Sequence, residues 1–369
     1  MLYYLFDLLE KQFHPPGFGV FRYITFRSAL AAITALLISF VIGPMVIRKL
    51  HKLQIGEQAK IEGPKSHLSK AGTPTMGGLI VLGSVVIPMV LWGDLTNPYV
   101  LLILLITIWL GALGFTDDYL KVVKKKRKGL IARYKLIGQI SIGLIVGAAL
   151  YFSPELHPFN SITTVPFFKN LNFDYGYFYI PVVVFIITAT SNAVNLTDGL
   201  DGLAIGTVGI TALTLALMSY VSGNIAFSRY LNIIYLPGTG ELTVYCFALV
   251  GAALGFLWYN THPAQVFMGD TGSLALGGAI AGLSIMIKKE LVLPILGGIF
   301  LAEEVSVILQ VLYFRYTKKR YGEGRRIFKM APLHHHFELD GVPESKIVTR
   351  FYIVGILLAI LSLTTFKVR

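Results

Sequence analysis

Acidic and histidine side chains stand at or just beyond the ends of long apolar segments of this chain. They are Asp117, Asp118, Asp198, Asp201, Asp270 and the acid-flanked run His334, His335 and His336. A carboxylate near hydrocarbon costs several kcal/mol unless it is paired, solvated or bound to a metal, so acids in such places indicate function. If all of these segment ends lie on one side of a bilayer, they form a site of hard ligands at the membrane–water boundary.

Asp117 and Asp118 are adjacent at the end of an apolar segment. Neighbouring residues of a helix point about 100° apart, so at most one of the two would point directly into a pocket. Two nearby carboxylates can bind a divalent cation, or one can raise the pKa of the other so that it serves as a base. The alternative is a pair of interfacial acids that offsets the cationic side chains at 121–133.

The stretch 191–204 combines amides, acids and glycines. Asn192, Asn195 and Asp198 are spaced by three, which places them along one helix face. Asp198 and Asp201 each precede a glycine, which lets the backbone approach a ligand closely. An EF-hand is excluded because the loop lacks alternating acids and a terminal Glu. The alternative is a polar helix end with a glycine cap.

Asn260 begins a second polar stretch, in which Gly269, Asp270, Thr271 and Gly272 open the next apolar segment. The free N–H groups at a helix start suit a phosphate, and Asp270 can hold a metal that bridges it. Phe267 offers a flat face to a base or sugar. The alternative role for Asp270 is that of a helix N-cap.

The three consecutive histidines suggest a transition-metal site, but neighbouring residues rarely ligate one ion together. No thiolate can assist, because the single cysteine, Cys246, lies inside an apolar run. Hydrogen bonding of the histidines to phosphate or hydroxyl groups is therefore favoured. In the stretch Lys65–Gly78, Lys70 and the glycines could hold anionic oxygens, and the alternative is an ordinary basic loop with a turn.

These motifs must be positioned by membrane-spanning helices. Of the 369 residues, 54% are hydrophobic and 14% are charged, against roughly 25% charged in soluble domains. The net charge of +12 could suggest nucleic acid, but basic loops beside a membrane explain it better, and no nucleic-acid partner is expected. Leu2–Phe13 fits an interfacial amphipathic segment.

Apolar windows of about 20 residues predict an all-α integral membrane protein of ten spans, forming a single domain over 1–369. The spans are expected near 23–47, 74–93, 98–117, 135–153, 178–197, 203–221, 243–260, 271–287, 291–314 and 348–366.

The distribution of Lys and Arg predicts the orientation. Of 32 such residues, 23 lie in the connections after spans one, three and nine, which are therefore cytoplasmic, with both termini outside. Lys288 and Lys289, on the predicted outer face, depart from this pattern. Because successive connections lie on alternating sides of the membrane, every polar cluster then falls on the cytoplasmic side. The count of Lys and Arg that set the orientation did not use the acids, so this agreement supports a single site.

In these motifs the chain resembles the polyprenyl-phosphate N-acetylhexosamine-1-phosphate transferases. The match rests on the pair at 117–118, the run 192–201 and Gly269–Gly272. The runs 331–338 and 65–78 resemble those of the branch that acts on UDP-MurNAc-pentapeptide. The resemblance implies transfer of the phospho-sugar to undecaprenyl phosphate, giving lipid I and UMP. It also implies a need for Mg²⁺, a bacterial inner-membrane location and a homodimer.

Roles for the motif residues follow from this resemblance together with the chemistry above. Asp270 is expected to ligate Mg²⁺ with Asp118 near the metal, while Asp117 deprotonates or orients the attacking lipid phosphate. Direct attack on the β-phosphate is predicted, and a two-step route through an aspartyl-phosphate stays open. Substrate binding is expected from Lys70, Asn195, Asp198, Asp201, Asn260, Phe267, Gly269, His334, His335 and His336.

Two other functions fit less well. A sibling transferase would move a different UDP-sugar phosphate to the same lipid, and the triple-histidine segment argues against it. A secondary transporter would carry acids near the middle of its spans and helices broken in paired halves. Here the acids lie at segment ends, and no half-repeat is visible in the sequence.

Overall fold

Helices make up most of the computed structural model, which describes residues 1–53, 72–126, 129–154, 159–168 and 171–366. Lys70, and most of the stretch in which it lies, falls outside the described residues. The helices are α1 (Leu2–Phe13), α2 (Ile24–Lys52), α3 (Gly78–Trp92), α4 (Pro98–Val122), α5 (Ala132–Tyr151), α6 (Tyr179–Thr197), α7 (Leu203–Ser222), α8 (Ile225–Leu231), α9 (Leu242–Asn260), α10 (Gly269–Met286), α11 (Leu293–Leu296), α12 (Gly298–Tyr321), α13 (Leu333–Leu339) and α14 (Glu344–Thr364).

Seven helices of the described chain are long and apolar enough to cross a membrane: α2, α4, α5, α6, α7, α9 and α14. The chain is thus a multi-pass, mainly helical membrane protein, while the predicted total of ten spans is not confirmed. The 15-residue α3 would reach only about 22 Å, which is shorter than the roughly 30 Å hydrocarbon layer. The segment predicted near 291–314 contains two helices, because the chain breaks at Gly297 between α11 and α12.

The helix α10 lies at the centre of the bundle. Every residue from Thr271 to Met286 is buried, and the helix packs against α3, α4, α6 and α7. Small residues permit this close packing: a Cβ on Gly277 would lie 2.6 Å from the backbone of Ser191 in α6. The first turn of α10, which carries Asp270, is therefore held by its neighbours on several sides.

A short antiparallel hairpin lies near the other end of α10. It pairs β1 (Ile162–Thr164) with β2 (Asn172–Asp174) in a connection for which the sequence predicted no strand. Lys288 Nζ donates to the Asn160 carbonyl at 2.7 Å and to the Tyr179 hydroxyl at 2.8 Å. Lys289 Nζ donates to Thr164 Oγ1 at 3.0 Å. The two lysines that depart from the charge distribution are therefore buried inside the protein.

Candidate active site

Asp118 joins the end of α4 to the beginning of α10. Its Oδ2 accepts hydrogen bonds from the Thr271 backbone N–H at 2.9 Å and the Thr271 hydroxyl at 2.6 Å, and its Oδ1 accepts from the Asp270 N–H at 3.2 Å. Asp118 thus satisfies free N–H groups in the first turn of α10. The approach needs Gly114, because a Cβ there would overlap the Asp270 carbonyl.

Asp117 and Asp270 share two lysines. Lys135 Nζ donates to Asp270 Oδ2 at 2.6 Å and to Asp117 Oδ2 at 3.2 Å, and Lys121 also pairs with both acids. The other oxygen of Asp117 accepts from the Leu130 N–H at 2.6 Å. Two carboxylates and two ammonium groups therefore form a compact charge cluster, in which Asp117 is buried and Lys121 stays exposed. The cost of burying the acids is offset by their lysine partners.

The three aspartates could share a divalent cation. One carboxylate oxygen from each of Asp117, Asp118 and Asp270 lies within 4.8 Å of the other two. Carboxylate oxygens are the ligands that Mg²⁺ prefers in proteins. Lys121 and Lys135 both donate to Asp270 Oδ2, so Asp270 already faces positive charge. The donor set therefore fits the expected metal.

Asn195 lies at the last turn of α6 and orients Asp270. Its Nδ2 donates to Asp270 Oδ1 at 2.8 Å and to Ser273 Oγ at 2.7 Å. Ser273 in turn donates to the Gly269 carbonyl at 2.9 Å. Asp270 is therefore held through both oxygens, by the lysines on one side and by α6 on the other.

Asp201 belongs to a second polar cluster, which ties together three connections. Its Oδ2 lies 3.0 Å from His262 Nδ1 and accepts from the Ala264 N–H at 3.1 Å. Its backbone N–H donates to Glu344 at 2.7 Å, and Asn260 accepts from the Gly202 N–H at 3.1 Å. Asp198 directly follows the last residue of α6, just before this turn.

Phe267 lies beside the described end of the Lys65–Gly78 stretch. Its N–H donates to the Pro74 carbonyl and its carbonyl accepts from the Gly77 N–H, both at 2.8 Å. The Phe267 side chain is partly exposed. Two motifs that are nearly two hundred residues apart in sequence therefore meet directly, immediately before Gly269.

Each of the three histidines faces a different acid. His334 Nδ1 lies 3.3 Å from a Glu303 oxygen, His335 Nδ1 2.8 Å from a Glu338 oxygen, and His336 Nε2 3.5 Å from an Asp340 oxygen. Among the described residues, two groups of side chains could hold a metal: Asp117 with Asp118 and Asp270, and Asp201 with His262 and Glu344. Neither group includes these histidines. His334 is wholly buried against Gly199, whereas His335 and His336 keep partial exposure.

The structure thus brings Asp117, Asp118, Asp270 and Asn195 together and places Asp201 with Asn260 in a neighbouring cluster. Sequence reasoning missed Lys121, Lys135, Thr271, Ser273, His262, Glu303 and Glu344. Lys121 could have been found, since it lies one helical turn from Asp117. Lys135 had no such signal, because its contacts depend on how α5 packs against α4 and α10.

Comparison with known proteins gives two matches to family models. The model described as glycosyl transferase family 4 matches residues 100–288. Residues 70–82 match the model described as phospho-N-acetylmuramoyl-pentapeptide-transferase signature 1. The first match contains Asp117, Asp118 and Asp270, and the second covers the segment that pairs with Phe267.

Curated relatives match over the whole chain. A protein of Flavobacterium psychrophilum is 52% identical, one of Chloroherpeton thalassium 53% and one of Chlorobium phaeobacteroides strain BS1 55%. Each alignment covers 100% of both chains, and each relative is named phospho-N-acetylmuramoyl-pentapeptide-transferase.

Proposed function

The chain belongs to the family of phospho-N-acetylmuramoyl-pentapeptide transferases, and from this premise we propose how its acidic cluster carries out the family's reaction. The reaction moves phospho-N-acetylmuramoyl-pentapeptide from its UDP carrier to undecaprenyl phosphate. It yields lipid I and UMP, in the first membrane step of peptidoglycan synthesis. A lipid phosphate reaches only a shallow site at the membrane boundary, which suits carboxylates at helix ends.

The observation that supports this assignment most strongly is the approach of Asp117, Asp118 and Asp270 to within 4.8 Å through one oxygen each. We propose that Asp270 ligates Mg²⁺ and that Asp118 lies near the metal while it holds the first turn of α10. The bound ion would offset the negative charge of the phosphates. Lys121 and Lys135 would add positive charge from the side of α4 and α5.

Asp117 is proposed to orient the lipid phosphate or to accept its proton. The second pKa of a phosphate is near 6, so at pH 7 most of it is already dianionic and needs orientation more than deprotonation. An oxygen of the lipid phosphate forms a bond to the β-phosphorus of the sugar nucleotide. The bond from that phosphorus to the bridging oxygen breaks, and UMP leaves with that oxygen. The pairing of Asp117 with two lysines weakens it as a nucleophile, which favours this direct route over an aspartyl-phosphate.

Nucleotide binding is proposed for the residues beyond the charge cluster. Phe267 would stack on the uracil ring, while Asp198, Asp201, Asn260, Gly269 and Lys70 would contact the uridine and diphosphate. His335 and His336, which keep partial exposure, would contact phosphate or sugar. Asn195, which donates a hydrogen bond to Asp270, would bind the substrate near its diphosphate.

The direct test is transfer in vitro. Purified protein with radiolabelled UDP-MurNAc-pentapeptide and undecaprenyl phosphate should release UMP and move the label into lipid. EDTA should stop transfer and added Mg²⁺ should restore it. Undiminished transfer in EDTA would contradict the metal assignment. A panel of UDP-sugars separates this reaction from that of a sibling transferase, which would prefer another sugar.

We also propose that the chain resides in the bacterial inner membrane, with this site facing the cytoplasm and both termini outside. The excess of Lys and Arg in the connections after α4 and α12 supports this orientation. The homodimer implied by the resemblance stays a prediction.

A further inference from the structure

A carboxylate and an imidazole face each other inside the protein, away from the aspartate cluster. Glu303 lies in α12 and His334 in α13, and both side chains have 0% exposure. Glu303 Oε2 and His334 Nδ1 are 3.3 Å apart. Among the described residues, no well-aligned hydrogen bond reaches either Glu303 oxygen or either His334 nitrogen.

This arrangement is unfavourable for stability by itself. Burying a carboxylate and an imidazole removes both from water, and a single loosely aligned approach compensates for little of that cost. Well-packed apolar side chains of similar volume would stabilise the same position equally well or better. A contribution to the active site therefore explains the pair better than a contribution to folding does.

The far side of the His334 ring faces the nucleotide side of the site. A Cβ on Gly199 would overlap His334 Nε2, so the ring lies directly against the turn between Asp198 and Asp201. The ring also packs edge-on against His335, with 4.2 Å between the ring centroids. The His334 ring therefore lies between Glu303 and that turn.

We propose that Glu303 is a positioning residue, which orients the His334 ring so that it supports the turn at 198–202. The inference rests on the proposed function, in which Asp198 and Asp201 bind the uridine nucleotide. It gives His334 a supporting role in place of direct contact with substrate. A carboxylate that fixes the orientation of a functional histidine is a common arrangement, and its loss typically costs about tenfold to a hundredfold in affinity or activity at metal sites.

The test compares two neighbouring acids of α12. Glu303→Gln should weaken equilibrium binding of UDP-MurNAc-pentapeptide to the full-length protein about tenfold or more, and should raise KM more than it lowers kcat. Glu303→Asp should restore part of the affinity, since the charge is kept. Glu304→Gln, at the partly exposed adjacent position, is the matched control and should bind like the unmodified protein.

Gly199→Ala tests the same ring from the side that faces the turn, because the added methyl group would displace the His334 ring. It should weaken binding similarly, and its combination with Glu303→Gln should cost less than the product of the two single effects. Unchanged nucleotide affinity in Glu303→Gln, or an equal loss in Glu304→Gln, would overturn the inference. Failure of the unmodified protein to transfer label, with nucleotide binding intact, would instead overturn the proposed function.

Discussion

Asp117 and Asp118 are neighbours in sequence with different surroundings. Asp118 accepts three hydrogen bonds from the start of α10, whereas Asp117 faces Lys121 and Lys135. The 100° step along a helix predicts that at most one of the two points directly into a pocket. One oxygen of each nevertheless lies within 4.8 Å of the other and of Asp270, because α10 and α5 pack against the end of α4 from different sides. The sequence near Asp117 and Asp118 does not reveal that packing.

Asp270 is the residue on which the proposed chemistry depends most. Asp270→Asn keeps the side-chain shape but removes the negative charge that faces two lysines and the proposed Mg²⁺. We expect turnover to fall below detection and the response to Mg²⁺ to disappear, measured by UMP release across a Mg²⁺ titration. Near-normal activity at ordinary Mg²⁺ would remove Asp270 from the site.

Phe267 allows the stacking role to be tested separately. Its backbone bonds to Pro74 and Gly77 do not involve the ring, so Phe267→Ala should leave the local chain path intact. Loss of base stacking costs roughly 1–3 kcal/mol, which predicts a rise in KM for the uridine nucleotide of about fivefold to a hundredfold. A fall in kcat with unchanged KM would contradict stacking.

At the scale of elements, apolar windows located most of the helices but not their surroundings. The segment near 271–287 is apolar enough to be predicted as a membrane span, yet α10 is enclosed by other helices along its length. Mean hydropathy cannot distinguish a lipid-facing helix from one buried in protein. The window near 291–314 also missed the break at Gly297, because averaging conceals a single turn.

The first turn of α10 can be tested through Thr271, whose hydroxyl donates to Asp118 at 2.6 Å. Thr271→Val keeps the shape and removes that donor, leaving a buried acceptor short of a partner. We expect a loss of about 1 kcal/mol in stability, measured as a lower Tm in detergent. Thr271→Ser keeps the hydroxyl and is the matched control. Equal Tm values for the unmodified protein and the Val variant would count against this contact.

At the scale of the whole molecule, the orientation can be tested by thiol labelling. The only cysteine, Cys246, is buried, so a Cys246→Ala background suits single-cysteine probes. Val123→Cys and Gln265→Cys, both at exposed positions, should be labelled by an impermeant reagent only from the cytoplasmic side. Tyr177→Cys, in the predicted outer connection, should react only from outside. Labelling of positions 123 and 265 from opposite faces would separate the two halves of the proposed site.

The buried lysine beyond α10 predicts a dependence of stability on pH. Burial lowers the pKa of Lys288 to about 8 from its ordinary value of 10.5. Between these values the unfolded chain binds this proton and the folded chain does not, so stability should rise with pH, by at most about 3 kcal/mol. Tm in detergent should therefore increase from pH 8 to 10, and Lys288→Met should flatten that increase. Parallel pH profiles for the two proteins would refute this.

A single encased helix has Asp270 in its first turn and Lys288 just beyond its last. The acid near the amino end and the cation near the carboxyl end both complement the helix dipole. Eighteen residues at 1.5 Å each make a rod of about 27 Å. Small residues let the neighbouring helices pack closely against this rod. One buried element therefore carries both the acid of the proposed metal site and, about 27 Å away, the lysine that bonds the segment beside the hairpin.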